Sequence, residues 1–331
     1  MKFILPVAGK GTRLRPHTHT KPKSLVQVAG KTVLEHIVER LLKVPAEELI
    51  FITDENGAQI EQFMAEHFPD LNCSYIVQQE RLGPAHAVAL AAPRIAEGDD
   101  VLVVFSDTVF VTDLARIPEL CRECDGLIYS KEVEDYQRFG VNVVERGLIV
   151  DMVEKPDTPV SRLAQVGLYY LKDGKRFMAY LDETIRSGEM VKGEFYLPPV
   201  FMRMIRDGMK FSAPELDAWL DCGKPETLLE TNRYLLKGRH ACCSGTVVDT
   251  VIIEPVSIAE GATVRGCILG PNVSVAAGTL IEESIIKDSI INADCQVRSM
   301  NLQSSILGDA VRLVGNPRRM NIGDHSLIEM E

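Results

Sequence analysis

The sequence predicts an α/β domain followed by a parallel β-helix. Three observations predict it. Strand-like apolar runs alternate with helical stripes in the first part of the chain, a glycine-rich turn follows the first of those strands, and aliphatic residues recur every six positions after about residue 245.

"KFILPVAG" (Lys2–Gly9) reads as a strand that enters the glycine-rich turn. "TVLEHIVERLLKV" places Val33, Leu34, Ile37, Val38, Leu41 and Leu42 on one helical stripe. "ELIFIT" is a strand and "AQIEQFMAEHF" a helix. "CSYIVQ" is a strand and "GPAHAVALAAPRI" a helix. "DVLVVFSD" is a buried strand that ends in an acid. This β-α-β-α order implies a Rossmann-like, mainly parallel sheet with helices on both faces. Ligands of such sheets lie at the carboxyl ends of the strands, where both the glycine-rich turn and the acid of "FSD" fall.

After residue 245 the helical stripes vanish. Ile252, Ile258 and Val264 stand six apart. After a five-residue step the series resumes at Leu269, Val275 and Ile281. Ile291 and Val297, Leu307 and Leu313, and Ile322 and Ile328 repeat the spacing. A hexapeptide period lets successive coils stack their aliphatic corners into one column, so a left-handed parallel β-helix is expected. The texture changes within "LLKGRHACCSG". The expected domains are therefore 1–238 for the α/β part and 247–331 for the β-helix, with a linker at 239–246.

A chain of 331 residues suits two domains, and 46% hydrophobic with 25% charged residues is ordinary for a soluble protein. The net charge is −11, from 36 basic and 47 acidic residues. That argues against nucleic acid or an anionic membrane as the partner. The apolar run at the N-terminus is short and broken by Pro6, and no run is long enough to cross a bilayer, so a cytoplasmic location is expected. Of the eight cysteines only Cys121 and Cys124 have C-x-x-C spacing, and no second pair completes a four-ligand site. They are expected to be plain thiols.

Against this acidic background, Gly9–Lys23 carries Lys10, Arg13, Arg15, Lys21 and Lys23 and no acid. A glycine-rich turn between strand and helix exposes backbone N–H groups that can cradle phosphates. The segment therefore reads as a local anion site. The Walker pattern fails, because Gly9 and Gly11 are only two apart. The dinucleotide fingerprint fails, because Leu14 stands where the third glycine belongs. What remains is G-x-G-T-R-L-x-P-x-T-x-x-x-P-K.

That string resembles the signature of the sugar-nucleotide pyrophosphorylases, the nucleoside-triphosphate:sugar-1-phosphate nucleotidyltransferases. "VQQERLGPAHAVA" (Val77–Ala89) is similar to their nucleobase segment. "VLVVFSDTVF" (Val101–Phe110) resembles their strand ending in a metal-binding acid. "RFGVNVV" with "MVEKP" (Met152–Pro156) resembles their sugar-site pair. "WLDCGKPETLLETNRYLL" (Trp219–Leu236) resembles the segment with the second metal acid. The matches keep the family's order over nearly all of residues 1–238. The hexapeptide repeat resembles the C-terminal domain of longer members, among them glucose-1-phosphate thymidylyltransferases and uridylyltransferases.

The resemblance implies a reaction in which a sugar-1-phosphate attacks the α-phosphate of a nucleoside triphosphate and pyrophosphate leaves. Two polyanions must meet, which gives the cationic loop its purpose. It implies nucleotide contacts from Ala8, Gly9, Gly11, Thr12 and Arg13, with Arg13 on the departing pyrophosphate and Lys23 near the α-phosphate. Lys10, Arg15 and Lys21 are balanced between phosphate contacts and solvated charges. Asp107 and Asp221 are implied to hold Mg²⁺, whose hard oxygen preference suits two carboxylates. Asp54, also at a strand end, is read as a cap. Lys155 is implied to bind the sugar phosphate, and Glu154, Gly140 and Val166 the sugar. Gln78 and Gly83 are implied to read a pyrimidine base. The amide offers a donor and an acceptor, which suits uracil or thymine and leaves that choice open.

Gln27 replaces a usual proline, Pro84 a frequent threonine, and Gln165-Val166 a stretch that often carries Asn or Thr. The last leaves the sugar open, with glucose-1-phosphate favoured. Two rival functions are an acyltransferase and a non-catalytic sugar-nucleotide sensor. Residues 241–324 contain no histidine to serve the first, which leaves His325 alone, and Arg13, Lys23, Asp107 and Asp221 are all present against the second. A homo-oligomer assembled through the β-helix is expected.

Overall fold

The first four strands of the sequence reading pair in parallel. They are β1 (Lys2–Pro6), β2 (Glu48–Thr53), β3 (Cys73–Val77) and β4 (Val101–Val104), in the order β4-β1-β2-β3. β2 and β4 are buried along their whole length, so the sheet is covered on both faces. The computed structural model describes residues 1–9, 11–55, 57–191, 193–237 and 242–315. They fall into two compact units. One is Met1–Val26 with Lys31–Leu228, and the other is Gln27–Gly30 with the described part of Leu229–Glu331.

Helices connect the parallel strands. α1 (Val33–Leu41) starts where the Thr32 hydroxyl accepts from Glu35 N–H at 3.0 Å, and it buries Val33, Leu34, Ile37, Val38 and Leu41 of the predicted stripe, whereas Leu42 follows the helix and is exposed. α2 is Gly57–His67. α3 runs only from Pro84 to Ala89, shorter than the stripe suggested, and a 3₁₀ turn follows at Ala92–Arg94. Pro93 has no N–H to offer the Ala89 carbonyl, so the α-helix cannot continue through it.

Beyond β4 the sheet becomes mixed. β5 (Thr108–Val111), β6 (Gly126–Glu132), β7 (Gly140–Glu145), β8 (Leu148–Glu154) and β9 (Leu163–Leu171) precede α4 (Gly174–Ser187) and α5 (Leu197–Arg206). β10 (Phe211–Ser212), β11 (Ala218–Asp221) and α6 (Pro225–Leu236) follow. β9 runs antiparallel to β4, β6 and β7, and β7 and β8 form a hairpin. The path of the nine-stranded sheet is β8-β7-β9-β4-β1-β2-β3, with β6 joining β9 to β10. Phe177 of α4 stacks on Phe201 of α5 with ring centroids 5.7 Å apart, and Phe211 and Tyr169 pack against Phe201. These contacts bind the antiparallel half to its helices. β5 and β11 form a separate antiparallel pair that sets Thr108 opposite Asp221.

In the second unit, short parallel strands stack into three sheets, the architecture of a left-handed β-helix. Ile258, Val275, Ile291 and Leu307 form one in-register column, and Val264, Ile281, Val297 and Leu313 another. The third column is Ile252, Leu269, Ile286 and Leu302. Ile286 is the corner that fills the gap between Ile281 and Ile291, reached by two five-residue steps. The expected pair Ile322 and Ile328, and residues 239–241 of the expected linker, lie outside the described residues.

Candidate active site

The loop after β1 folds around Gly11. Its φ of 58° is left-handed, and the Thr18 hydroxyl donates to its carbonyl at 2.7 Å. A Cβ on Gly11 would come within 3.2 Å of the Lys23 Cβ, so the turn packs the start of the loop against its end. A Cβ on Gly9 would meet nothing within 4 Å. That space is open for a group approaching the backbone.

The two acids come from distant segments, Asp107 from the turn between β4 and β5 and Asp221 from the end of β11. Ser106 anchors the end of β4 to the first strand, its hydroxyl donating to the Pro6 carbonyl at 3.0 Å. Asp107 follows, and its carbonyl accepts from Cys222 N–H at 3.0 Å, continuing the β5–β11 register. Asp221 therefore lies beside Asp107. Lys23 Nζ is 3.3 Å from Asp107 Oδ2. The Asp221 carboxylate accepts from Gly223 N–H at 2.7 Å and from the Thr227 hydroxyl at 3.2 Å, which fixes its orientation. A Cβ on Gly223 would stand 2.7 Å from Asp221 Oδ1, 3.3 Å from Arg13 Nη2 and 3.4 Å from Lys23 Nζ. Two cations and a carboxylate thus converge on one glycine.

Two cavities open at this point. One of about 580 Å³ is lined by Ala8, Gly9, Gly11, Thr12, Gln78 and Gly83, together with Lys23 and Gly223. The other, of about 450 Å³, is lined by Gly140, Glu154, Val166, Tyr169, Trp219 and Asp221 among others. Arg13, Pro84, Phe105 and Asp107 line both. In the second cavity Gly140 sits opposite Glu154 across the β7–β8 hairpin, and a Cβ there would be 2.8 Å from Glu154 Oε2. Burial, with Glu154 and Asp107 adding to it, pushes the Tyr169 phenol up, so it remains a neutral donor.

Lys155 is the exception among the anticipated residues. It has a φ of 47°, pairs with Glu154 Oε1 at 3.7 Å and lines neither cavity. Arg15 and Lys21 also line neither, and Lys10 lies outside the described residues. Asp54 pairs with Arg81, which lines the first cavity. Cys121 and Cys124 are buried with their sulfurs 3.5 Å apart and line neither cavity. Sequence reasoning missed Lys224 and Arg138 in the second cavity, and Gly223 in the first. Lys224 and Gly223 stand in "DCGKPE", directly after the second acid, where their neighbourhood was a usable signal.

A loop of backbone donors and cations facing a pair of carboxylates is a site for polyphosphate chemistry. Residues 2–238 match the nucleotidyl transferase family, and the chain belongs to that family. Within it, the chain is 29% identical over 364 residues to a glucose-1-phosphate thymidylyltransferase of Streptomyces antibioticus, covering 100% of both proteins. It is 31% identical over 241 residues to the UTP–glucose-1-phosphate uridylyltransferase AglF of Haloferax volcanii, covering 71% of this chain and 96% of that one. Its fold is like that of a UDP-glucose pyrophosphorylase solved with UDP-glucose, at a TM-score of 0.62 and 24% identity over 72% of this chain and 99% of that one.

Proposed function

We propose that this protein transfers a nucleotidyl group from dTTP or UTP to a sugar-1-phosphate, glucose-1-phosphate foremost, and releases pyrophosphate. The observation that carries the proposal is the junction of the two cavities at Arg13 and Asp107, with Lys23 beside them. A triphosphate in the first cavity and a sugar phosphate in the second would meet there.

The chemistry needs no protein nucleophile. An oxygen of the sugar phosphate forms a bond to the α-phosphorus, while the bond to the pyrophosphate oxygen breaks on the opposite side. Catalysis is then positioning and charge stabilisation. Lys23 offsets charge at the α-phosphate, and the Arg13 fork holds the departing pyrophosphate. Gly9, Gly11 and Thr12, with Ala8, supply the backbone against which the phosphates lie. Glu154 accepts from sugar hydroxyls beside Gly140 and Val166, and Lys155 turns from Glu154 to the sugar phosphate. Gln78 and Gly83 face the base.

Asp107 and Asp221 fit Mg²⁺. Both are hard oxygen donors, both line the second cavity, and hydrogen bonds from Gly223 N–H and the Thr227 hydroxyl orient the Asp221 carboxylate. Mg²⁺ there would supply charge neutralisation to phosphate oxygens. The domain limits 1–238 and 247–331 with a linker at 239–246, a cytoplasmic location and a homo-oligomer belong to the same reading. Among the described residues no helix is long and apolar enough to cross a membrane. Val251, Ile268 and Ile285 form an exposed, in-register apolar row on the β-helix, which supports self-assembly. Light scattering that gave a monomer's mass would remove that part.

The fate of label tests the reaction. With α-³²P-labelled UTP or dTTP and glucose-1-phosphate, the label should pass into the nucleotide sugar and none into pyrophosphate. Label retained on the protein would mean a covalent intermediate and contradict direct transfer.

A further inference from the structure

We propose that His86 sets which base the nucleotide cavity accepts, by holding the Gln78 amide in one of its two orientations. The inference rests on the reading of Gln78 and Gly83 as the pair that faces the base.

Gln78 follows the carboxyl end of β3, its N–H donating to the Thr53 carbonyl at 2.8 Å, and its side chain is buried. Its Nε2 lies 3.5 Å from the Gly83 carbonyl oxygen and 3.1 Å from His86 Nδ1. A carbonyl oxygen can only accept, so the NH₂ end of the amide is the end that faces it. One NH₂ proton goes to Gly83, and the other goes to Nδ1. In this arrangement His86 accepts on Nδ1, which is the tautomer with its N–H on Nε2.

This arrangement leaves Oε1 for the ligand, because it makes no hydrogen bond among the described residues. The Gly83 N–H makes none either, and both residues line the same cavity. Gly83 is held in place by two bonds around it: Phe195 N–H donates to the Leu82 carbonyl at 2.7 Å, and Ala85 N–H to the Phe195 carbonyl at 2.9 Å. Its φ is 106°, and a Cβ would lie 2.7 Å from both N and O of Phe195, so no other residue fits.

The cavity thus presents one acceptor and one donor. Uracil and thymine match them with N3–H and a neighbouring carbonyl oxygen. In the register that uracil or thymine takes, cytosine would set its N3 acceptor against Oε1, and its N4–H₂ donor could reach Oε1 only if the ring shifted along its edge. An inverted amide would present two donors and suit cytosine instead. Inversion would bring Oε1 against two acceptors, the Gly83 oxygen and Nδ1. The Gly83 contact is long, so His86 is the stronger lock. His86 acts through Gln78 and is a positioning residue.

Calorimetric binding of UTP, dTTP and CTP to the full-length protein tests this without requiring turnover. The ratio of the CTP dissociation constant to that of UTP or dTTP is the readout. His86→Leu removes the acceptor and His86→Lys replaces it with a donor, so each should lower the ratio about tenfold or more. Two variants are used so that misfolding of one leaves the other. His86→Asn can place an amide oxygen where Nδ1 stands and should restore the ratio to within about threefold. A merely structural role for His86 would weaken all three nucleotides alike. An unchanged ratio in a folded Leu or Lys variant overturns the inference, as does wild-type protein that binds CTP as well as UTP. Discrimination that holds while nucleotidyl transfer fails would sink the proposed function and leave the inference standing.

Discussion

Gly223→Ala should separate turnover from stability. The new methyl would stand 2.7 Å from Asp221 Oδ1, 3.3 Å from Arg13 Nη2 and 3.4 Å from Lys23 Nζ. A carbon at 2.7 Å from oxygen lies well inside ordinary contact, so the carboxylate must retreat by about half an ångström or more. It can do so only by straining its bonds from Gly223 N–H and the Thr227 hydroxyl. The backbone at Gly223 is not left-handed, so alanine fits its conformation, and the unfolding free energy should change by less than about 1 kcal/mol. Misplacing a reacting constellation by up to an ångström costs about a hundredfold in rate. Pyrophosphate release at saturating substrates, with thermal unfolding of the same preparation, measures both effects. A folded variant with kcat within about threefold of wild type would refute the convergence of these groups on the reaction.

Asp107→Asn and Asp221→Asn should each lower kcat about a hundredfold with the fold intact, and EDTA should abolish activity that Mg²⁺ restores. Near-normal turnover by either folded variant would remove that residue from the site. Lys155→Ala should raise the KM for the sugar-1-phosphate about thirtyfold and leave that for the nucleotide unchanged, whereas Lys23→Ala should lower kcat by a similar factor. A Lys155 effect confined to the nucleotide KM would show the two substrates to be exchanged. Asp99 accepts from Ala96 N–H at 2.7 Å and pairs with Lys2 at 3.2 Å, which hold its carboxyl below the usual range. Its folded value is below the unfolded one, so its stabilisation is present above about pH 4 and lost as pH falls through the folded value. Asp99→Asn should flatten stability against pH in that acid window and nowhere else, as thermal melts across pH would record.

The legible parts of the molecule were those encoded locally. The cationic loop is one continuous segment, and each acid ends or follows an apolar strand, so the motifs that carry the family resemblance were enough to single out Arg13, Lys23, Asp107 and Asp221 as candidates. The parallel half of the sheet was legible because its strands are buried runs separated by amphipathic helices. The antiparallel half was not. β7 and β9 alternate weakly, and what places them is pairing across distant sequence, β9 with β4 and β6 and β7 with β9. Gly223 gives no signal as a glycine; its importance lies in the distant cationic loop, which brings Arg13 and Lys23 beside it and the Asp221 carboxylate. The same holds for His86, which reads as an ordinary helical residue until Gln78 folds against it. Lys155 shows the converse, since its motif is plain and yet its side chain turns to Glu154. In the β-helix, the six-residue period identified most corners, but Ile286 stayed hidden because coil length there depends on two five-residue steps.

The central claim is that a triphosphate and a sugar phosphate react where the two cavities join. A pyrophosphate-release screen crossing four nucleoside triphosphates with several sugar-1-phosphates, with Mg²⁺ and with EDTA, tests it most directly. The account predicts Mg²⁺-dependent release that needs both substrates, fastest with UTP or dTTP and glucose-1-phosphate. Release from no pair, or release equally fast without any sugar phosphate, would contradict it.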